Sequence, residues 1–234
     1  AWWKKMKKEK AVNYVKSRNK KLLEQKFKHF SVMITHPLPE NIDVRYVFED
    51  LENLFPAHFL KLIDIVYIGK YSFFEKRKIN AMFSDGAMYI SNDQDNNLDL
   101  KDDIVHELAH AIEDKYDDYI YYDEKIKNEY FTKLKKLKNY LTFEKYDLRG
   151  VNFFNEQYSK EFDDFLLKDV GYEKLTGYSK DMFLTPYSIT SLREYFATGF
   201  EQYFIGNKVY LKQLCPYVYK KLYLLTNNVE DLEQ

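Results

Sequence analysis

Asn97-Leu98-Asp99-Leu100-Lys101-Asp102-Asp103-Ile104-Val105-His106-Glu107-Leu108-Ala109-His110-Ala111-Ile112 is the run from which the rest of the chain is read. Ile104, Val105, Leu108, Ala111 and Ile112 recur at helical spacing, so the run predicts an amphipathic helix packed deep in its domain. Asp99 is the expected N-cap, with Asp102 and Asp103 in the first turn, where carboxylates accept from unpaired amides and complement the helix dipole. Residues four apart share a helix face, so His106 and His110 can offer neutral ring nitrogens to one metal ion. Glu107 can then reach a water at that metal as general base. The plainer alternative is a helix that carries two half-buried histidines and no metal.

Hydrolytic zinc normally takes three protein ligands and keeps one position open. The chain has five histidines, and none follows His110. His29, His36 and His58 lie upstream and read as ordinary surface or core histidines. A metzincin would need Gly at 113 and His at 116; Glu113 and Tyr116 stand there and exclude that class. A downstream carboxylate is therefore the leading third ligand, a gluzincin-type arrangement. Most acidic residues after 110 sit among lysines and tyrosines, as in Asp123-Glu124-Lys125, and read as solvated faces. Glu194 differs, because Leu192, Phe196, Phe200, Tyr203 and Phe204 surround it at helical spacing. A carboxylate in so aromatic a helix needs a cation. Two sources stand open at this point: a metal, or an ion pair with Arg193 or a lysine.

The run His106-Glu107-Leu108-Ala109-His110-Ala111-Ile112-Glu113-Asp114, followed by Tyr187 and then Glu194-Tyr195-Phe196-Ala197, resembles the C-terminal domain family of anthrax lethal factor. That grouping includes the clostridial Pro-Pro endopeptidases and, more distantly, the Mlc titration factor peptidases. A Pro-containing segment, Leu211 to Leu222, continues the likeness, which covers roughly the last 150 residues. The resemblance implies a zinc endopeptidase with one Zn2+ per chain, held by His106, His110 and Glu194. It implies Glu107 as catalytic base and proton shuttle, and Tyr187 as the phenol that donates to the oxyanion. Family members carry a second Glu four residues after the ligand Glu, thought to orient a zinc histidine. This chain has Thr198 there, whose hydroxyl can accept from an imidazole N–H but lacks the charge. The stretch 111–186 is also longer than in short family members, and Tyr116 to Tyr146 reads as added helical structure.

Composition bounds the rest. With 234 residues, 45% hydrophobic and 18% aromatic, the chain can bury a large core, and 7 glycines with 5 prolines favour a helix-rich fold with short connections. A single cysteine, Cys215, excludes an intrachain disulfide and reads as an inert buried thiol. No apolar run reaches the length of a membrane span, and Ala1 to Lys8 lacks the apolar core of an ordinary signal peptide. Secreted and cytoplasmic locations both stay open.

The net charge of −1 conceals an asymmetry: residues 1–30 hold 11 Lys/Arg against 2 Glu, and the remainder is net acidic. Those thirty residues read as a basic amphipathic helix or linker, with Trp2, Trp3, Val15, Leu22 and Leu23 among its apolar positions. It can pack on the following domain, join a preceding domain, or bind an anionic surface; nucleic acid is the less favoured partner. A polypeptide substrate is the expected main partner.

Ser31 to Thr35 and Leu62 to Ile68 read as strands, and Asp43 to Leu54 as a helix stopped near Pro56. Segments 79–83 and 87–91 flank Ser84-Asp85-Gly86, a hairpin signature. By the resemblance, Met88, Tyr89 and Ile90 are either the edge strand along which an extended substrate lies or an ordinary core strand. The expected fold class is α+β, zincin-like: a small mixed sheet and motif helix over 31–115, then a mainly helical lobe over 116–234. Two other functions compete with the peptidase: a zincin-fold binding domain that has lost turnover, and an adaptor working through the basic N-terminal segment.

Overall fold

The computed structural model describes residues 24–77 and 79–227. The chain divides into two compact units, residues 1–107 and 108–234, and together they make a mixed α+β protein.

The first unit is built on a five-stranded mixed sheet with strands β1 (Glu24–Lys26), β2 (Ser31–Ile34), β3 (Ile65–Gly69), β4 (Ala81–Ser84) and β5 (Ala87–Ser91) in the order β1-β2-β3-β5-β4. β2, β3 and β5 run parallel, while β1 and β4 are antiparallel outer strands. Val32, Val66 and Met88 stand in register, as do Ile34, Ile68 and Ile90, so alternate residues supply one apolar face. Helix α1 (Val44–Leu54) buries Val44, Val47, Phe48 and Leu51 at helical spacing, and the Asp43 side chain caps it by accepting from Tyr46 N at 3.0 Å. α2 (Ala57–Leu60) and α3 (Ser72–Arg77) complete the connections.

Asp85 and Gly86 turn the β4–β5 hairpin with φ of 49° and 79°, the left-handed pair that a two-residue turn requires. At Gly86 an added Cβ would come within 2.4 Å of Asp64 Oδ2, so glycine is needed for space as well as for φ.

Two expectations need correction. β5, which carries Met88, Tyr89 and Ile90, is not an edge strand: β3 pairs with one side and β4 with the other, and Met88 and Ile90 are fully buried. The edge position falls to β4, because the hairpin folds β5 inward, where its apolar residues match those of β3. The other concerns the basic segment. Residues 1–23 lie outside the described residues, but 24–30 are neither helix nor linker: Glu24–Lys26 pair with β2 and Phe27 and Phe30 pack on Phe48 at 5.4 and 5.6 Å. The aromatic pair gains more from that packing than from an exposed helix face.

The motif helix, α4 (Asn97–Lys115), begins one cap earlier than the sequence suggests. Asn96, not Asp99, is the cap: its Oδ1 accepts from Leu98 N at 2.8 Å and Asp99 N at 3.0 Å. Ile104, Val105, Leu108, Ala111 and Ile112 are all buried as expected, and the unit boundary falls inside the helix after Glu107.

The second unit is helical: α5 (Asp117–Tyr121), α6 (Lys125–Phe143), α7 (Lys160–Asp164) continued by a π-helical turn to Val170, α8 (Tyr172–Tyr178), α9 (Leu192–Phe204), α10 (Lys208–Leu214) and α11 (Pro216–Asn227). The added helical structure expected within 116–146 is α5 and α6. α9 is buried almost all round, including Tyr195, Phe196, Ala197 and Phe200. Gly199 lets α11 approach closely, since a Cβ there would sit 2.5 Å from Val218 Cγ1. Among the described residues no helix is long and apolar enough to cross a membrane.

Candidate metal centre

Helical spacing does what the sequence asks of it. On one turn of α4, His106, Glu107 and His110 each bring a ligand atom within 4.8 Å of the others, a group that could hold a metal ion. His106 is half-buried, while Glu107 and His110 are buried. His29, His36 and His58 stay outside this group, and His36 is engaged locally, its Nδ1 accepting from Lys70 N at 3.1 Å.

Glu194 reaches His110 from the first turn of α9. Ser191 starts that helix in extended conformation, and its Oγ accepts from Glu194 N at 3.2 Å. The cap fixes the backbone of Glu194. Oε1 lies 3.4 Å from His110 Nε2, with both side chains almost wholly buried. An N–H···O hydrogen bond is normally about 2.9 Å. Two ligands at about 2.0–2.1 Å from a tetrahedral ion stand roughly 3.3–3.4 Å apart, the spacing of this pair, but the group that could hold an ion is His106, Glu107 and His110 and does not include Glu194.

Arg193, the ion-pair partner that the sequence offers Glu194, hydrogen-bonds other carboxylates and acts on Glu194 through its charge. Arg193 sends Nη1 to Asp114 Oδ1 at 2.5 Å and to Glu113 Oε2 at 3.3 Å, and Nη2 to Asp114 Oδ2 at 3.3 Å. Burial pulls the Arg193 guanidinium down, yet the hydrogen bond to Asp114 and the charges of Glu113, Asp114 and Glu194 outweigh it and hold it above its usual value.

Sequence reading missed Glu113. It is buried, its Oε1 accepts from Tyr121 OH at 2.6 Å, and its Oε2 is 3.9 Å from His110 Nδ1. The signal was present, because a residue three after a histidine shares its helix face.

Thr198, expected to accept from a metal histidine, is placed otherwise. Its Oγ1 donates to Glu194 O at 2.8 Å, one turn back on the same helix, as buried threonines in helices commonly do. Tyr187 opens a 3-10 turn (Tyr187–Ile189) that leads into α9, with its side chain 44% exposed. The turn is tied by Thr190 Oγ1, which donates to Tyr187 O at 2.7 Å. Cys215 is buried, and burial pushes its thiol up, in keeping with an inert residue. Compared with family models, with curated proteins and with solved structures, the chain matches none.

Proposed function

We propose that this chain is a zinc-dependent endopeptidase of zincin-like fold, acting on an extended polypeptide. His106, His110 and Glu194 would hold one Zn2+, and Glu107 would act as general base. The observation that carries this reading is the 3.4 Å approach of Glu194 Oε1 to His110 Nε2, from a helix distant in sequence, onto the motif where His106 and Glu107 share a turn with His110. The resemblance to the lethal factor and Pro-Pro endopeptidase grouping supports the same assignment.

Two neutral imidazoles and one carboxylate leave a bound Zn2+ with net positive charge, which acidifies water and polarises a carbonyl. Glu107 is 9% exposed, and its carboxylate takes the proton from the attacking water and passes it to the leaving amine. Tyr187, on the turn that leads into α9, would donate to the oxyanion, as the resemblance implies. Glu107 also separates this reading from that of a metal-holding domain without turnover, since a structural metal needs ligands and no base.

Purified protein is expected to carry one zinc per chain and to lose it on His106→Ala or Glu194→Ala. Glu107→Gln should keep the zinc while peptide cleavage falls by about 10²- to 10⁴-fold. Zinc occupancy by atomic absorption, beside cleavage of a diverse peptide library, decides the matter. Full occupancy in Glu194→Ala refutes the ligand set, and cleavage that survives Glu107→Gln refutes the base.

A further inference from the structure

His110 is approached by carboxylates on both ring nitrogens. Glu194 faces Nε2, and Glu113 Oε2 stands 3.9 Å from Nδ1, too long for a hydrogen bond but close enough for its charge to act on the ring. Glu113 is only 6% exposed, and a buried carboxylate is costly unless paired. Two donors on separate elements fix it. Tyr121 OH donates to Oε1 at 2.6 Å, and Arg193 Nη1 donates to Oε2 at 3.3 Å. Burial, reinforced by the charge of Glu113, holds the Tyr121 phenol well above its usual range, so the hydroxyl remains a proton donor. Arg193 also clasps Asp114, and so ties the end of α4 to the first turn of α9, the turn that carries Glu194.

We propose that Glu113 is the positioning residue for His110: its carboxylate, aimed by Tyr121 and Arg193, sets the ring so that Nδ1 keeps the proton and Nε2 presents its lone pair to the metal. The inference rests on the metal-centre reading above. Glu113 stands beyond hydrogen-bond reach of Nδ1, so it acts on the ring through its charge alone, which favours the proton on the near nitrogen. In this chain that carboxylate comes from the motif helix itself, three residues after the ligand, whereas Thr198 spends its hydroxyl proton on a backbone carbonyl. Arg193 makes the device common to both ligands, because one guanidinium braces Glu113 and belongs to the residue beside Glu194.

The test is zinc affinity of the full chain, measured by competition with a chromophoric chelator, together with the melting temperature of each metal-free protein. Glu113→Gln keeps size but removes the charge and leaves one oxygen to accept where two accept now, and is expected to weaken zinc binding by about 10- to 100-fold. Tyr121→Phe should weaken it less and in the same direction, and Glu113→Asp should recover part of the loss. Glu113→Gln should also lower the metal-free melting temperature, because Arg193 loses an acceptor, but by less free energy than zinc binding loses, which a merely structural role would not allow. Unchanged affinity in Glu113→Gln overturns the proposal, as does a loss matched by an equal fall in metal-free stability, or an Asp variant no better than Gln. A wild type that takes up no zinc removes the metal-centre reading and this one together. A wild type whose zinc depends on Glu194 but not on Glu113 removes this one alone.

Discussion

Lys133→Met removes the ammonium from the most polar part of the second unit's core. Lys133 Nζ donates to Tyr195 OH at 2.6 Å and to Leu214 O at 2.7 Å, and lies 3.3 Å from Cys215 Sγ. Tyr195 OH in turn donates to Glu129 Oε1 at 2.7 Å, and Glu129 Oε2 accepts from Tyr217 N at 3.1 Å. The network joins α6, α9 and the start of α11, and Tyr195 is the residue after Glu194. Hydrogen bonds to a charged group contribute roughly 1.5–3 kcal/mol each, and removing one partner of a buried charged pair costs roughly 3–5 kcal/mol. A loss of about 3–5 kcal/mol near neutral pH follows, a large part of the roughly 5–15 kcal/mol that holds a domain folded.

The pH dependence gives the sharper test. Burial raises Glu129 above the usual carboxylate value, and Lys133 is the largest influence pulling it back. A carboxyl raised in the folded state binds its proton more tightly folded than unfolded, so its contribution is present at low pH and is lost as pH rises through the folded value. In Lys133→Met that value rises further, so the deficit against wild type should grow between about pH 4 and about pH 7. Urea denaturation of both proteins at the two pH values measures it. A deficit below about 1 kcal/mol at neutral pH, or one that does not change with pH, would mean that the ammonium is not what compensates Glu129.

Other perturbations test how α9 is placed. Ser191→Ala removes the cap that orders the turn under Glu194, and should cost about 0.5–2 kcal/mol by denaturant titration and also weaken zinc binding. A variant equal to wild type in both would detach the cap from the site. Gly199→Ala drives a Cβ against Val218 and should lower stability by about 1–3 kcal/mol, with Val218→Ala in the same chain restoring most of it. Failure of that second change to rescue would place the strain elsewhere.

The sequence carried the parts whose cause is local. The apolar stripe of α4, the helix that ends at Leu54 and the Asp85-Gly86 turn each depend on residues a few positions apart, and each formed where the pattern put it. The order of the strands was not legible in the same way. Whether Met88–Ile90 lies inside the sheet depends on which side of β3 the hairpin enters, and local alternation of apolar residues is the same for an inner strand as for a half-covered edge. The cap of α4 was missed by three residues because Asn96 and Asp99 are both good capping types and only backbone geometry separates them. At the site, His106, Glu107 and His110 were fixed by spacing within one turn. Glu113 was overlooked because it was given no role of its own beyond breaking the metzincin pattern, and its partners Tyr121 and Arg193 come from other helices.

Charge balance around His110 bears on whether Glu194 is a metal ligand or a plain ion-pair partner. The second unit gathers Glu113, Asp114 and Glu194 about the Arg193 guanidinium, which hydrogen-bonds the first two. Glu113 and Glu194 are both almost wholly buried, and two buried carboxylates about one neutral imidazole would repel each other in a region of low dielectric. Arg193 feels the charge of both, and a divalent cation at Nε2 of His110 would add to that balance. It would also account for a His110–Glu194 separation longer than a hydrogen bond, since each atom would be aimed at the ion and not at the other. Without an ion, His110 would face Glu194 as the Nε2–H tautomer or as imidazolium, and either donor should draw Glu194 Oε1 in to ordinary hydrogen-bond length.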